Sequence, residues 1–263
     1  MPTTPSIASP TPEQAAQAFL RPLGRGRPST LDRLPGGRRF VVDGGVGRVV
    51  GAWAGECPAV LLVHGWDGRA SDLMAFAPPL LEAGFRVVAI DLPAHGDSDG
   101  ESASLPDLAQ ALLAVQRTVG PLHAVVGHSM GGAIAVEAMA QGLHVQRAAL
   151  IAAPARWVDY AHVFAARAGL DRDAAERMVD ALLALAIDVR AFSTPARAAA
   201  LNQPVLFVHA GDDRVVPPSD AAEGAAAWRG SRLLRVGDLG HRRILRDPTV
   251  VASVIGFVKE GSA

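Results

Sequence analysis

The chain has 263 residues, 49% hydrophobic and 19% charged, a balance that excludes a disordered polypeptide and predicts one compact domain with an insertion. Its formal net charge of −1 excludes the basic field that a phosphate backbone requires, so nucleic acid is not expected as a partner. Cys57 is the only cysteine, which excludes an internal disulfide or a cysteine metal site, agrees with a reducing cytoplasmic location and leaves a buried or semi-buried thiol as the expectation.

Residues 1–37 are rich in Pro, Gly and Arg and read as an irregular N-terminal arm with one short helical stretch at 13–20. The prolines at 2, 5, 10 and 12 interrupt any apolar run that a secretory signal needs. Nowhere do about 18 apolar residues follow one another, so no membrane span is expected. Residues 38–42 and 47–53 then suggest two strands joined by Asp43-Gly44-Gly45, a hairpin turn.

From residue 59 onward, short apolar runs at 59–64, 86–91, 123–127, 147–152 and 204–210 predict buried parallel strands. Segments with apolar residues at helical spacing, 72–83, 105–119 and 130–141, lie between them. Gly84 and Gly142 follow two of these helices at C-terminal cap positions. A last strand at 232–236 and a helix at 248–259 complete an α/β, doubly wound, mostly parallel eight-stranded sheet. The alternation breaks once: about residues 155–203 hold helical periodicity, especially at 172–189, and no strand-like run, which predicts a small helical cap inserted into a domain spanning 38–263.

The strand at 123–127 runs directly into Gly127-His128-Ser129-Met130-Gly131-Gly132, after which a helix begins. A serine on a sharp strand-to-helix turn needs neighbours without Cβ atoms two residues to either side, and the helix start aims amide groups at the place where negative charge develops. In this context Gly-x-Ser-x-Gly resembles the nucleophile elbow of the α/β-hydrolase family, and the order of elements from about residue 38 resembles that family's as well. The resemblance implies an α/β-hydrolase fold and a serine nucleophile, Ser129, followed in chain order by an acid and then a histidine.

Gly211-Asp212-Asp213-Arg214-Val215-Val216-Pro217 resembles the family's acid loop, which assigns the acid to Asp213 with the adjacent Asp212 as its competitor. The base implied is His241 in Asp238-Leu239-Gly240-His241-Arg242-Arg243, with Asp238 read as a solvated loop carboxylate. His64-Gly65-Trp66-Asp67-Gly68 resembles the family's oxyanion segment, so the backbone amides of Trp66 and Met130 are the implied oxyanion donors. Asp91-Leu92-Pro93-Ala94-His95-Gly96-Asp97-Ser98 resembles a further family loop of structural role, and His64 and His95 are expected to support loops rather than to transfer protons.

The other histidines show no metal-ligand spacing, so neither a metal nor a cofactor is implied. Arg242 and Arg243 suit surface solvation, with contact to an anionic substrate as the alternative, and Trp157, Tyr160, Phe164 and Met178 either line a substrate pocket or pack the cap. The expected activity is hydrolysis of a small-molecule carboxylic ester or related acyl compound. Thioester, carbon–carbon bond and perhydrolysis chemistry on the same triad, and a non-catalytic ligand-binding protein of this fold, are the alternatives.

Overall fold

Eight strands form one sheet in the computed structural model, which describes residues 9–23 and 28–261. In chain order the elements are α1 (Pro12–Phe19), β1 (Arg38–Asp43), β2 (Arg48–Ala54), β3 (Ala59–Val63), α2 (Ala77–Glu82), β4 (Arg86–Ile90) and α3 (Leu105–Val119). There follow β5 (Leu122–His128), α4 (Met130–Ala140), β6 (Arg147–Ile151), α5 (Trp157–Arg167), α6 (Arg172–Ala184), α7 (Thr194–Ala198) and β7 (Val205–Ala210). The chain closes with α8 (Pro218–Ala227), β8 (Arg232–Val236), α9 (Gly240–Arg243) and α10 (Pro248–Lys259). The spatial order is β1-β2-β4-β3-β5-β6-β7-β8. β1 pairs antiparallel with β2 and β2 antiparallel with β4, and all other pairs are parallel.

The continuous apolar runs are explained by a sheet covered on both faces. In β3, Leu61 and Val63 enter the core shared with α3, α4 and the helices that follow β6, whereas Val60 and Leu62 enter the core beneath α2 and α10. Each fully buried leucine of this kind contributes about 1.5–3 kcal/mol. The parallel strands run the same way, so β3, β5, β7 and β8 all deliver their following loops to one end of the sheet, where open α/β folds place their sites.

Helix boundaries depart from the periodicity in two places. The expected helix at 72–83 is a 3-10 helix over Ala70–Phe76 followed by α2; Pro78 and Pro79 lack the amides that would bond back to the preceding turn. The helix expected to reach 189 stops at Ala184, and Ala186 turns the chain away with φ of 62°. α3 begins as a capping box, with Ser104 accepting from the Asp107 amide. In the hairpin, the Gly44 amide donates to the Gly47 carbonyl across the loop.

Between β6 and β7 lie only helices, α5 to α7, and a single bridge between Arg156 and Ser193. Within the stretch read as an irregular arm, residues 1–8 and 24–27 lie outside the described residues. α1 is capped by Thr11 and Gln14 and packs on α5 and α6, with Phe19 buried against Trp157, Tyr160 and Phe164. Cys57 corrects an expectation: its thiol is exposed. It sits in the turn leading into β3 beside exposed Glu56, at the end of the sheet away from the strand termini that carry the loops, where nothing packs over it.

Candidate active site

Ser129 stands between β5 and α4 with φ of 53° and ψ of −128°, a conformation that costs a non-glycine residue about 1–3 kcal/mol. Packing holds it there. Its amide donates to the Ile151 carbonyl at 2.8 Å, and the glycines around it permit contacts that side chains would block. A Cβ on Gly127 would come within 2.7 Å of the Gly131 carbonyl oxygen, and one on Gly131 within 2.4 Å of the Val63 and His64 carbonyl oxygens. The first turn of α4 therefore lies directly on the end of β3.

His241, on α9 after β8, reaches this serine across 112 positions of sequence: Nε2 is 3.0 Å from Ser129 Oγ. Its Nδ1 is 2.8 Å from Asp213 Oδ2. A carboxylate only accepts, so Nδ1 carries the proton and the Nε2 lone pair faces the hydroxyl. The Asp213 side chain is fully shielded from solvent. Burial alone would push its carboxyl up, but His209, His241 and the amides of Val215 and Val216 outweigh that effect and hold it well below the usual carboxylate range.

Asp212, the neighbouring candidate, points elsewhere and accepts from the Gly240 amide at 2.7 Å. Asp238 is exposed. Two histidines that the sequence reading passed over stand beside this array. His128, one residue before the serine, donates from Nε2 to the His241 carbonyl at 2.9 Å, and the two rings lie 4.8 Å apart. Burial, followed by the neighbouring His241, pulls His128 down to about 3, so it stays neutral. His209, at the end of β7, places Nε2 between the Val216 carbonyl at 3.0 Å and Asp213 Oδ2 at 3.3 Å. The signals were adjacency to Ser129 for one and a strand-end position four residues before Asp213 for the other.

The loop after β3 passes over the serine, so that a Cβ on Gly65 would lie 2.9 Å from Ser129 Cβ. Met130 is the first residue of α4, where an amide has no acceptor within the helix. Among the described residues neither its amide nor that of Trp66 donates to another group of the protein. His64 and His95 are spent on loops, as expected. His64 donates to the Gly65 carbonyl and accepts from the Leu92 amide, and His95 donates to the Pro93 carbonyl and accepts from the Asp67 amide. Burial holds both below the ordinary histidine value.

A cavity of about 490 Å³ opens over Ser129 and His241. Of the four residues expected to line a pocket or pack the inserted helices, Tyr160 alone is on its wall. Trp157 and Met178 are buried, and Phe164 packs on the core. Among the described residues no group of three or more His, Cys, Asp or Glu side chains is placed to hold a metal ion, and no helix is long and apolar enough to cross a membrane.

Comparison with known proteins gives concordant results. A model of the alpha/beta hydrolase family matches residues 60–254. The chain is 30% identical over 221 residues to a monoacylglycerol lipase from Mycolicibacterium smegmatis, covering 68% of this chain and 79% of that protein. A shorter stretch is 37% identical to the dihydrolipoyllysine-residue acetyltransferase component of the acetoin cleaving system of Pseudomonas putida; it covers 34% of this chain and 24% of the relative, so the chain spans about a quarter of that protein's length. An esterase from Exiguobacterium antarcticum shares the fold with a TM-score of 0.65 at 20% identity, over 81% of this chain and 96% of its own. Since the family match runs from β3 into α10 and includes each of the described residues that line the cavity, the chain belongs to the alpha/beta hydrolase family.

Proposed function

We propose that the protein is a serine hydrolase that cleaves a carboxylic ester or related acyl bond through an acyl-enzyme intermediate. The observation that carries this reading is the continuous relay from Ser129 Oγ to His241 Nε2 at 3.0 Å and from His241 Nδ1 to Asp213 Oδ2 at 2.8 Å. A serine hydroxyl is a weak nucleophile until a base accepts its proton. As Ser129 Oγ bonds to the substrate carbonyl carbon, its proton passes to His241 Nε2, and buried Asp213 stabilises the imidazolium. The carbonyl oxygen, now negative, accepts from the Trp66 and Met130 amides; one such donor is typically worth on the order of 10²–10³ in turnover. Collapse expels the alcohol, which takes the proton from His241. Water then repeats the sequence on the acyl-enzyme and releases the acid.

In the same reading the helices between β6 and β7 act as a cap, since α5 contributes Tyr160 and Arg167 to the cavity wall. The lipase and esterase relatives support an ester as substrate. The test is hydrolysis of p-nitrophenyl acetate by wild type and by Ser129→Ala, together with labelling by a fluorophosphonate probe. A burst and turnover lost in the variant, with the label mapped to Ser129, is expected. Absent turnover with retained ligand binding favours a binding protein, and a label on another residue sinks the assignment.

A further inference from the structure

We infer that the ester accepted by this site carries an anionic group, in the simplest case a carboxylate, received at the cavity mouth by Arg167, Arg242 and Arg246. The inference rests on Ser129 acting as the nucleophile and adds the class of substrate it attacks. Among the described residues four arginines, Arg167, Arg242, Arg243 and Arg246, line the cavity, against two aspartates, Asp67 and Asp72. The chain as a whole has 25 basic and 26 acidic residues. The local excess of positive charge is therefore a matter of placement, not a sample of a basic protein.

The two carboxylates already serve the fold. Asp72 Oδ2 accepts from the Arg69 amide at 3.2 Å, and Asp67 Oδ1 accepts from the Leu23 amide at 2.5 Å. Arg243 is held too, since it donates to the Leu239 and Asp238 carbonyls and approaches Asp212 at 3.8 Å. The other three make no ion pair among the described residues. They also come from separate elements of the fold. Arg167 ends α5 in the inserted helices, whereas Arg242 follows the base directly and Arg246 comes four residues later on the same chain of short turns. A carboxylate between them would accept forked hydrogen bonds that a guanidinium offers and an ammonium does not.

The experiment compares p-nitrophenyl hexanoate with the mono-p-nitrophenyl ester of hexanedioic acid, which differ by the terminal carboxylate. Turnover is read in wild type and equilibrium binding in Ser129→Ala, each from about 20 mM to about 500 mM salt. At low salt a preference for the half-ester of roughly tenfold is expected in kcat/KM and in affinity, as several partly exposed charge pairs acting together would give. High salt, or the combined change Arg167→Gln, Arg242→Gln and Arg246→Gln, should bring the ratio towards one. Cleavage of both esters with no preference, and equal binding by Ser129→Ala, overturns the anion site and leaves the hydrolase reading intact. Tighter binding of the half-ester without turnover of either compound sustains the anion site and removes the hydrolase reading instead.

Discussion

Acidification should destabilise this protein through His128. The residue is 6% exposed, its ring lies 4.8 Å from the His241 ring, and its pKa is pulled down to about 3 from an ordinary 6.5, burial first and His241 second. Between these two values the unfolded chain binds a proton that the folded chain does not, so stability falls as pH falls; above about 6.5 the residue contributes nothing to the slope. At pH 5, about 1.5 units below the unfolded value and still above the folded one, the cost is about 2 kcal/mol. Urea unfolding of wild type and His128→Gln at about pH 7.5 and about pH 5 isolates this term. Glutamine keeps an N–H donor for the His241 carbonyl but does not titrate, while His64 and His95, which are also depressed, are common to both proteins. Wild type should lose about 2 kcal/mol more than the variant over this interval. Equal losses, or an imidazole resonance of His128 titrating near 6.5, would refute the reasoning.

Three further outcomes follow from contacts already described. Replacing His209 with Phe removes a donor from the buried Asp213 carboxylate, so kcat should fall about tenfold with KM little changed, and His209→Gln should recover part of the loss; an unaltered kcat and pH profile would deny His209 a positioning role. Gly131→Ala drives a Cβ to 2.4 Å from two backbone carbonyls, whereas a Cβ on Gly256 in α10 meets nothing within 4 Å. Thermal or urea unfolding should show a loss of about 3 kcal/mol for the first and a gain of about 0.5–1 kcal/mol for the second. Exposed Cys57 should react with a thiol reagent in the native protein as fast as in denaturant, and modification should leave ester hydrolysis unchanged, because it lies at the far end of the sheet. Slow native reaction would show that the thiol is covered.

Local and periodic signals were legible in advance. Apolar runs located the strands to within a residue or two, because a strand buried on both faces tolerates little polarity, and Gly127 and Gly131 marked the serine turn because no other residue fits that backbone. Boundaries were lost where tertiary context intervened: Pro78 and Pro79 converted half of a helix into 3-10 geometry, and Ala186 cut another short. For Cys57, composition favoured burial, and only its place in an exposed turn at the end of the sheet decided against it.

What the linear chain determined by itself was therefore the alternation of strands and helices, the glycine-framed serine and the short roster of acids and histidines downstream. Which of those residues meet depends on backbone direction at each strand end. Only the resemblance favoured Asp213 over the adjacent Asp212, whereas in the structure the Asp212 carboxylate bonds the Gly240 amide and that of Asp213 the His241 ring. The same convergence turned His128 and His209 into partners of His241 and Asp213, and gathered arginines from α5 and from the turns after β8 around one cavity. Such assignments depend on tertiary structure because encounters between residues 28 positions apart, as for Asp213 and His241, or 112 apart, as for Ser129 and His241, are set by the stacking of the sheet, and no short window of residues contains that information.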